Sequence, residues 1–272
     1  TTNSIYSNYS SIIAGVITWD PAKAQLIENG SGLAFMPRLA MSGQNVVAVW
    51  LQVGSGHSIY SNYSLDGGEN WDSTLAQGID SGGELGQNPE LAMSGPNVVA
   101  VWAQGNNIYS NYSINGGQIW HTAQVIENDS EKAYFPKVAM SGTNVVAVWQ
   151  QQDGMNLTDP YSIYSNYSSI SGGVITWNPA TAKVIENGSG IALYPWVKMS
   201  GDTVVAVWQQ NDGTTDSIYS NYSTDGGVTW DTTLAQPIDN GGGLAFMPRL
   251  AMSETNAVAV WQQNDGTTDS IY

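Results

Sequence analysis

The sequence predicts an all-β fold, a five-bladed β-propeller with four antiparallel strands in each blade. Three segments recur five times in the same order, at a spacing of about fifty residues. Each repeat contains four short strand-like pieces separated by glycine-rich turns, and no stretch has the 3.6-residue period of an amphipathic helix. Apolar segments repeated in this way bury their side chains by stacking on the neighbouring repeats.

The first and second strands of each repeat are predicted from an apolar pattern. The first begins at a proline, as in Pro37 to Met41, and the second has the form Val-Val-Ala-Val-Trp. Because the second strand is apolar on both alternating faces, we expect it in the middle of a stacked blade. The second strands end at Trp50, Trp102, Trp149, Trp208 and Trp261.

The third strand has the sequence Ile-Tyr-Ser-Asn-Tyr-Ser, and the fourth is the piece that ends near Ile79 in the repeat that contains it. In the third strand Tyr60 and Tyr63 point to opposite faces, as the period of a β-strand requires. Copies of the third strand begin at Ile5, Ile59, Ile108, Ile163 and Ile218, and a partial copy begins at Ile271.

The turn between the third and fourth strands carries the most specific motif. The segment Ser223 to Trp230 reads Ser-x-Asp-x-Gly-x-Thr-Trp, and the copy that begins at Ser64 departs from it only at the threonine. Asp-Gly-Gly predicts a tight hairpin turn in which glycines supply positive φ and the carboxylate accepts backbone N–H groups. Copies that begin at Ser10 and Ser168 are two residues longer and lack the aspartate.

This motif resembles the Asp-box (BNR) repeat of sialidases, and the resemblance covers the whole chain. It implies a sialidase-like β-propeller in which the box marks the fold on the rim, away from the ligand-binding face. The residues that we assign to this structural role are Ser64, Asp66, Gly68, Trp71, Asn115, Trp120, Ser223, Asp225, Gly227, Thr229 and Trp230.

Residues 1–272 are predicted to form a single domain whose ring is closed by strand pairing between its two ends. One blade is then shared between residues 1–27, with the third and fourth strands, and residues 244–272, with the first and second. The extra copy Ser270-Ile271-Tyr272 is expected outside that blade or against a neighbour. The alternative is that the five repeats are a slice of a larger ring.

The charge and composition of the chain limit the classes of molecule that it is expected to bind. Seven Lys and Arg face 23 Asp and Glu, a formal net charge of −16, which repels nucleic acid. There is no cysteine, so disulfides are excluded, and no apolar run predicts a membrane span. We expect no cofactor. An extracellular or cell-surface location is a working expectation, and the oligomeric state and any bound metal are left open.

Candidate ligand-binding residues lie in two repeated positions of the expected ligand face. The first position is an acidic residue at the start of each loop between blades, which either forms a cation or polyol site or, as we favour, is solvated. These residues are Glu28, Asp80, Glu127, Glu186 and Asp239. A further acidic set lies in the loops between second and third strands, at Asp153, Asp159, Asp212, Asp216, Asp265 and Asp269.

The second position follows the proline of the first strand and varies between repeats, so that it could shape an asymmetric pocket. Trp196 is the candidate for stacking on a sugar, or else it fills a gap. The five residues at this position are Arg38, Glu90, Lys137, Trp196 and Arg249.

The resemblance to sialidases does not extend to their catalytic set. That family grips its substrate with three arginines beside a tyrosine nucleophile, a glutamate and an aspartate, whereas this chain has only Arg38 and Arg249. No acidic residue stands in a unique context that predicts a tuned pKa. The sequence therefore favours a non-enzymatic, multivalent binding module, lectin-like and carbohydrate-binding. The alternatives are a structural or protein-interaction propeller without a small ligand and, less favoured, a glycoside hydrolase.

Overall fold

The computed structural model describes residues 3–29, 32–55, 57–128, 131–154, 156, 159–188, 190–211, 213, 215–264 and 269–271. These residues form antiparallel β-sheets joined by loops, and none of their helices has the length and apolar character of a membrane span. Four short 3₁₀ helices are formed by Pro21–Lys23, Ser73–Leu75, Pro179–Thr181 and Thr232–Leu234. Two compact units divide the chain: Thr1–Gly105 with Tyr109–Gln124, and Asn106–Ile108 with Val125–Tyr272. The single domain over 1–272 stays a prediction.

The N-terminal part of the chain contains two small antiparallel pairs and then two four-stranded sheets. The small pairs are β1 (Tyr6–Ser7) with β4 (Gln25–Leu26) and β2 (Ile12–Ile13) with β3 (Val16–Ile17). The first sheet has the order β5 (Leu33–Ser42), β6 (Asn45–Ser55), β7 (His57–Ser64), β8 (Gln77–Gly78). The second sheet has the order β9 (Gly86–Ser94), β10 (Asn97–Gln104), β11 (Asn107–Ser113), β12 (Gln124–Val125).

The rest of the chain forms three further antiparallel sheets, the last of which has three described strands. One sheet comprises β13 (Ala133–Ser141), β14 (Asn144–Gln152), β15 (Tyr161–Ser171), β16 (Val174–Ile175) and β17 (Lys183–Val184). The next comprises β18 (Ala192–Ser200), β19 (Thr203–Asn211), β20 (Asp216–Ser223) and β21 (Gln236–Pro237). The last comprises β22 (Ala245–Met252), β23 (Ala257–Asn264) and β24 (Asp269–Ile271).

The core follows the second strands, as their apolar pattern predicts. Val98 and Trp102 on β10 are fully buried, as are the tryptophans at the same position in β6, β14 and β19. Each of these indoles donates its N–H to a glutamine two residues along the strand, such as Gln104, at 2.9 Å. The buried polar group of the tryptophan is thus satisfied within its own strand.

A β-bulge recurs in the first strand of every repeat, which the sequence analysis did not anticipate. In β5 the register against β6 shifts between Phe35 and Arg38, and Met36 has φ 52°. The residue before the proline adopts this left-handed conformation in each repeat, although it is never glycine. The five residues are Met36, Asn88, Phe135, Tyr194 and Met247. Each bulge directly precedes the variable position of the first strand.

The asparagine of the third strand ties each repeat to the one before it. Asn62 donates from Nδ2 to the carbonyl oxygen of Ile27 at 2.8 Å and to that of Asp72 at 3.0 Å. Asn111, Asn166 and Asn221 make the equivalent pair of bonds. Because Ile27 precedes the repeat that contains Asn62, one buried side chain fixes the spacing of two successive repeats.

The predicted closure between the two ends of the chain is not what the described strands show. The place beside β23 is taken by β24, with Gln262 opposite Ile271, and β1 is paired with β4. The C-terminal copy of the third strand thus lies within its own sheet, contrary to expectation. Its residues repeat those of the N-terminal copy, and it follows β23 in the chain. Pairing of β24 with β23 therefore closes a much shorter loop than pairing of β23 with the N-terminal copy would.

Candidate functional site

The variable residues of the first strands contact one another between successive repeats. In the first unit Arg38 Nε lies 2.9 Å from Glu90 Oε1, and the two side chains are 40% and 13% exposed. In the second unit Lys137 Nζ and Arg249 Cζ each lie 4.7 Å from the ring centroid of Trp196. These charges are therefore already paired or placed over an aromatic ring. The sugar-stacking role of Trp196 stays a prediction, and it requires one of these cations to move.

The acidic residues at the loop starts are buried rather than solvated, contrary to the interpretation that we favoured. Asp80 is 7% exposed, and its Oδ2 accepts from the backbone N–H of Ser58 at 2.8 Å and from the Ser58 hydroxyl at 2.7 Å. Glu28, Glu127 and Glu186 are buried too, and Asp239 is half-buried. Among the described residues no group of three or more acidic or histidine side chains could hold a metal ion.

The turn that carries the box motif is held by its own side chains. Ser64 Oγ donates to Asp66 Oδ1 at 2.6 Å and accepts from the backbone N–H of Gly68 at 3.0 Å. The carboxylate also accepts the backbone N–H of Asn70, and the indole of Trp71 donates to the Gly68 carbonyl at 3.1 Å. These contacts close the hairpin. The copies around Asp225 and Asn115 are bonded in the same way at the serine and at the aspartate or asparagine.

Two acidic residues in the second unit meet at one serine hydroxyl. Ser162 Oγ donates to Asp153 Oδ2 at 2.6 Å. The same hydroxyl is close enough to the Glu186 carboxyl to lower its pKa. Tyr164 adds a longer contact from its hydroxyl to Asp153 Oδ1, at 3.4 Å. We call this arrangement the Asp153–Ser162–Glu186 relay. It joins one acid from a loop between second and third strands to one from a loop between repeats.

The two carboxyl groups of the relay have different environments. Glu186 is 2% exposed, and burial raises the pKa of its carboxyl, with a further upward contribution from the negative charge of Asp153. Hydrogen bonds from Gly188, Ser162 and Gln210 oppose this rise in the pKa without cancelling it. Asp153 is exposed. A pair of acids in one buried and one exposed position is an arrangement that can hold and pass on a proton.

The donor inventory limits how the relay can hold its protons. A serine hydroxyl has a single hydrogen, and here that hydrogen goes to Asp153. A protonated Glu186 carboxyl has an O–H of its own and can donate to the same oxygen, whereas the ionised carboxylate can only accept. The raised pKa of Glu186 is in the direction that favours that protonated form.

The sequence analysis placed Asp153 and Glu186 in two separate acidic sets and did not connect them. It also predicted that no acid has a tuned pKa, which Glu186 contradicts. The other acids of the loops between second and third strands are dispersed: Asp159 accepts from the Asn156 backbone and Asp216 from the Asn211 side chain. Asp212 and Asp265 lie outside the described residues, as does the side chain of Asp269.

Comparison with known proteins identifies the architecture. No family model and no curated protein sequence matches the chain. The α-L-arabinofuranosidase of Fusarium graminearum from family GH93, solved with arabinobiose, is 15% identical with a TM-score of 0.56, over 94% of this chain and 81% of that one. The fold is a β-propeller. A second structure of such an enzyme from Fusarium graminearum, with an iminosugar inhibitor, has 15% identity and a TM-score of 0.53, over 91% and 80% of the two chains.

A sialidase of Trypanosoma rangeli, solved with the inhibitor DANA, is also similar to this propeller. It has 13% identity and a TM-score of 0.49, over 94% of this chain and 47% of that chain. We base the fold assignment on the two arabinofuranosidase structures, whose TM-scores are higher.

These similarities correct the expectation of a non-enzymatic, lectin-like module. The structures that cover most of this propeller with the higher TM-scores are glycoside hydrolases, which the sequence analysis had ranked last. The expectation was based on the missing sialidase arginines. Their absence excludes one substrate-binding arrangement, but it does not bear on other hydrolytic chemistries that use carboxyl groups.

Proposed function

We propose that this propeller, with the five blades that its repeats predict, is a carbohydrate-active enzyme of the glycoside hydrolase type. The observation that carries the proposal is the Asp153–Ser162–Glu186 relay, a pair of carboxyl groups whose surroundings differ. Glycosidic bonds are cleaved by carboxyl groups, one of which is kept protonated near neutral pH by its environment. The arabinofuranosidase structures that share the fold support the same class of reaction.

Asp153 is the group that contacts the sugar in this proposal, because it is exposed while Glu186 is only 2% exposed. Glu186 donates its proton to Ser162 Oγ, and the Ser162 hydrogen passes to Asp153. Protonated Asp153 then gives this hydrogen to the glycosidic oxygen as its bond to the anomeric carbon breaks. Water adds to that carbon, and the proton it releases returns to the relay, so the relay ends as it began.

The substrate in this proposal is a neutral saccharide with pentose units. The arabinofuranosidase of similar fold was solved with arabinobiose. The net charge of −16 disfavours anionic sugars, and Arg38 is held by Glu90 rather than free to grip a carboxylate. Glycan is therefore the partner that we propose.

The test is hydrolysis of arabinobiose, 4-nitrophenyl α-L-arabinofuranoside and 4-nitrophenyl β-D-xylopyranoside by the purified chain between pH 4 and 8. We expect turnover that falls at least about 100-fold in Asp153→Asn, the range that general acid catalysis contributes. Asp216→Asn, a matched change in the equivalent loop of the next repeat, should leave the rate unchanged. The absence of turnover on all three substrates, or full activity of Asp153→Asn, would overturn the proposal.

A further inference from the structure

Each of the two units has a cleft beside one of its box turns, and the two clefts are formed by equivalent segments of the repeat. The cleft of the second unit shares no lining residue with the relay. Each cleft is formed by one of the two long hairpins that lack the aspartate and by the turn that follows in the next repeat. The cleft in the second unit has a volume of about 490 Å³ and reaches from Tyr167 to Val228. The cleft in the first unit has a volume of about 460 Å³ and reaches from Tyr9 to Glu69. Both volumes are in the range of small-ligand sites.

In the first unit the cleft is braced from within. The Tyr9 hydroxyl donates to Glu69 Oε1 at 2.8 Å and accepts from Lys23 Nζ at 3.1 Å. The Lys23 ammonium also lies 4.6 Å from the Tyr9 ring centroid. The hydrogen bond to Tyr9 raises the pKa of Lys23, so this residue stays charged at neutral pH. The Tyr9 hydroxyl therefore donates one hydrogen bond and accepts one within the protein, to Glu69 and from Lys23.

In the second unit the same positions carry no such brace. Thr181 replaces the lysine and donates to Asn166 Oδ1 at 2.7 Å, and Val228 replaces the glutamate. Lys183 donates to the Val228 carbonyl at 2.7 Å, as Gln25 does to the carbonyl of Glu69 in the first unit, so the two backbones are held alike. No described residue is hydrogen-bonded to the Tyr167 hydroxyl, which lines the cleft.

We propose that the cleft of the second unit is a binding site for a neutral oligosaccharide, with the Tyr167 ring and hydroxyl as its main contact. Hydroxyl and amide groups surround that tyrosine, which suits a polyol that exchanges its water contacts for protein ones. The groups that line the cleft include Ser169, Thr176, Asn178, Thr181 and Asp225. The first-unit cleft is the closed form of the same site.

Charge sets the class of sugar. Burial would raise the pKa of Asp225, but the hydrogen bonds from Thr229 and Ser223 outweigh it and keep that pKa below its ordinary value. Asp225 is thus ionised at neutral pH. The carboxylate of an acidic sugar would be repelled by it, whereas the hydroxyls of a neutral sugar can donate to it.

The experiment measures binding of xylotriose, arabinotriose and cellotriose by titration calorimetry and by NMR shift changes. It is run on the wild-type chain and on Asp153→Asn, which separates this site from the proposed active site. We expect one site per chain, the same Kd in both proteins, and shifts at Tyr167. Binding that depends on Asp153, or no binding of any of the three sugars, would overturn the proposal.

Exchange of the brace between the two clefts gives matched variants. Thr181→Lys with Val228→Glu transfers the brace into the second unit and should weaken binding at least tenfold. Lys23→Thr with Glu69→Val removes it from the first unit and should raise the stoichiometry from one site to two. Tyr167→Phe retains the ring and loses the hydroxyl, so it should weaken binding less than Tyr167→Ala. If the affinity of the first exchanged protein and the stoichiometry of the second are both unchanged, with their melting temperatures preserved, the proposal is wrong.

Discussion

Trp208 Nε1 donates a hydrogen bond of 2.7 Å to Gln210 Oε1, two residues along the same strand. The indole is fully buried, and the glutamine is fully buried with it. Gln210 in turn donates to the Asn187 side chain at 2.7 Å in the loop that precedes its repeat. A core tryptophan is in this way connected through one amide to the loop between two repeats. Trp261 makes the same contact with Gln263, at 3.0 Å, but it is only half-buried.

The difference in burial predicts unequal costs for the same substitution. Trp208→Ala should lower the free energy of unfolding by about 3–5 kcal/mol, the usual cost for a buried aromatic side chain. Trp261→Ala should cost about half as much or less, because the Trp261 side chain is only half-buried. Urea unfolding of the two variants checks this. Equal destabilisation would show that Trp261 is as well packed as Trp208.

The buried carboxyl of Glu186 predicts a stability that falls as the pH rises. Because the folded-state pKa of Glu186 is raised, the folded chain holds this proton more tightly than the unfolded chain does. The stabilisation is complete below the ordinary pKa of glutamate and is lost as the pH rises through the raised value. Glu186→Gln, which resembles the protonated acid, should remove this loss. Thermal unfolding at pH 5 and pH 8 measures it, and an identical pH dependence in both proteins would contradict it.

The same substitution separates stability from catalysis. Glu186→Gln keeps an N–H donor for Ser162 but has no proton to pass on, so hydrolysis should be lost while the melting temperature at pH 8 is kept or increased. Asp216→Asn serves as the control for both readings. A variant that is both inactive and less stable at pH 8 would indicate that Glu186 holds the fold rather than supplies the proton.

The lowered pKa of Asp66 predicts a stability that falls as the pH decreases, the opposite of the trend predicted for Glu186. Hydrogen bonds from Ser64 and then from Asn70 lower the pKa of its carboxyl to about 2. The stabilisation is therefore present above the ordinary pKa of aspartate and is lost as the pH falls toward 2. In Asp66→Asn, which copies the residue at Asn115, the difference from wild type should be larger at pH 6 than at pH 2. Melting temperatures at the two pH values test this, and Asn115→Asp is the reciprocal control.

Local pattern was enough to predict most of the strands. The alternation in Val98 to Trp102 predicted a strand buried on both faces, and those residues are buried. The Asp66 carboxylate was predicted to accept local N–H groups, and it accepts that of Asn70, while the Gly68 N–H donates to Ser64 Oγ. Contacts of this kind depend on the nearby sequence, so the sequence carries their information directly.

Features that depend on contacts between repeats were missed. The relay joins Asp153 to Glu186, and its chemistry arises from burial of one carboxyl, which sequence spacing does not reveal. Arg38 and Glu90 were predicted as candidate ligand-binding residues, and the sequence did not show that they bond each other across one repeat. The bulge at Met36 could have been suspected from the residue before a proline, but its left-handed φ is set by the register with the next strand. The predicted closure was wrong because the sequence offers two copies of the third strand and does not show which one pairs with β23.

The asparagine of the third strand has a consequence for the cooperativity of folding. The amide groups of Asn62, Asn111, Asn166 and Asn221 reach back to the repeat immediately before their own, as Asn111 does to Ile79. Cooperativity carried by these contacts is transmitted between neighbouring repeats, as in a one-dimensional chain of coupled units. Asn8, at the equivalent position, donates to the carbonyl oxygen of Asp20 within its own segment.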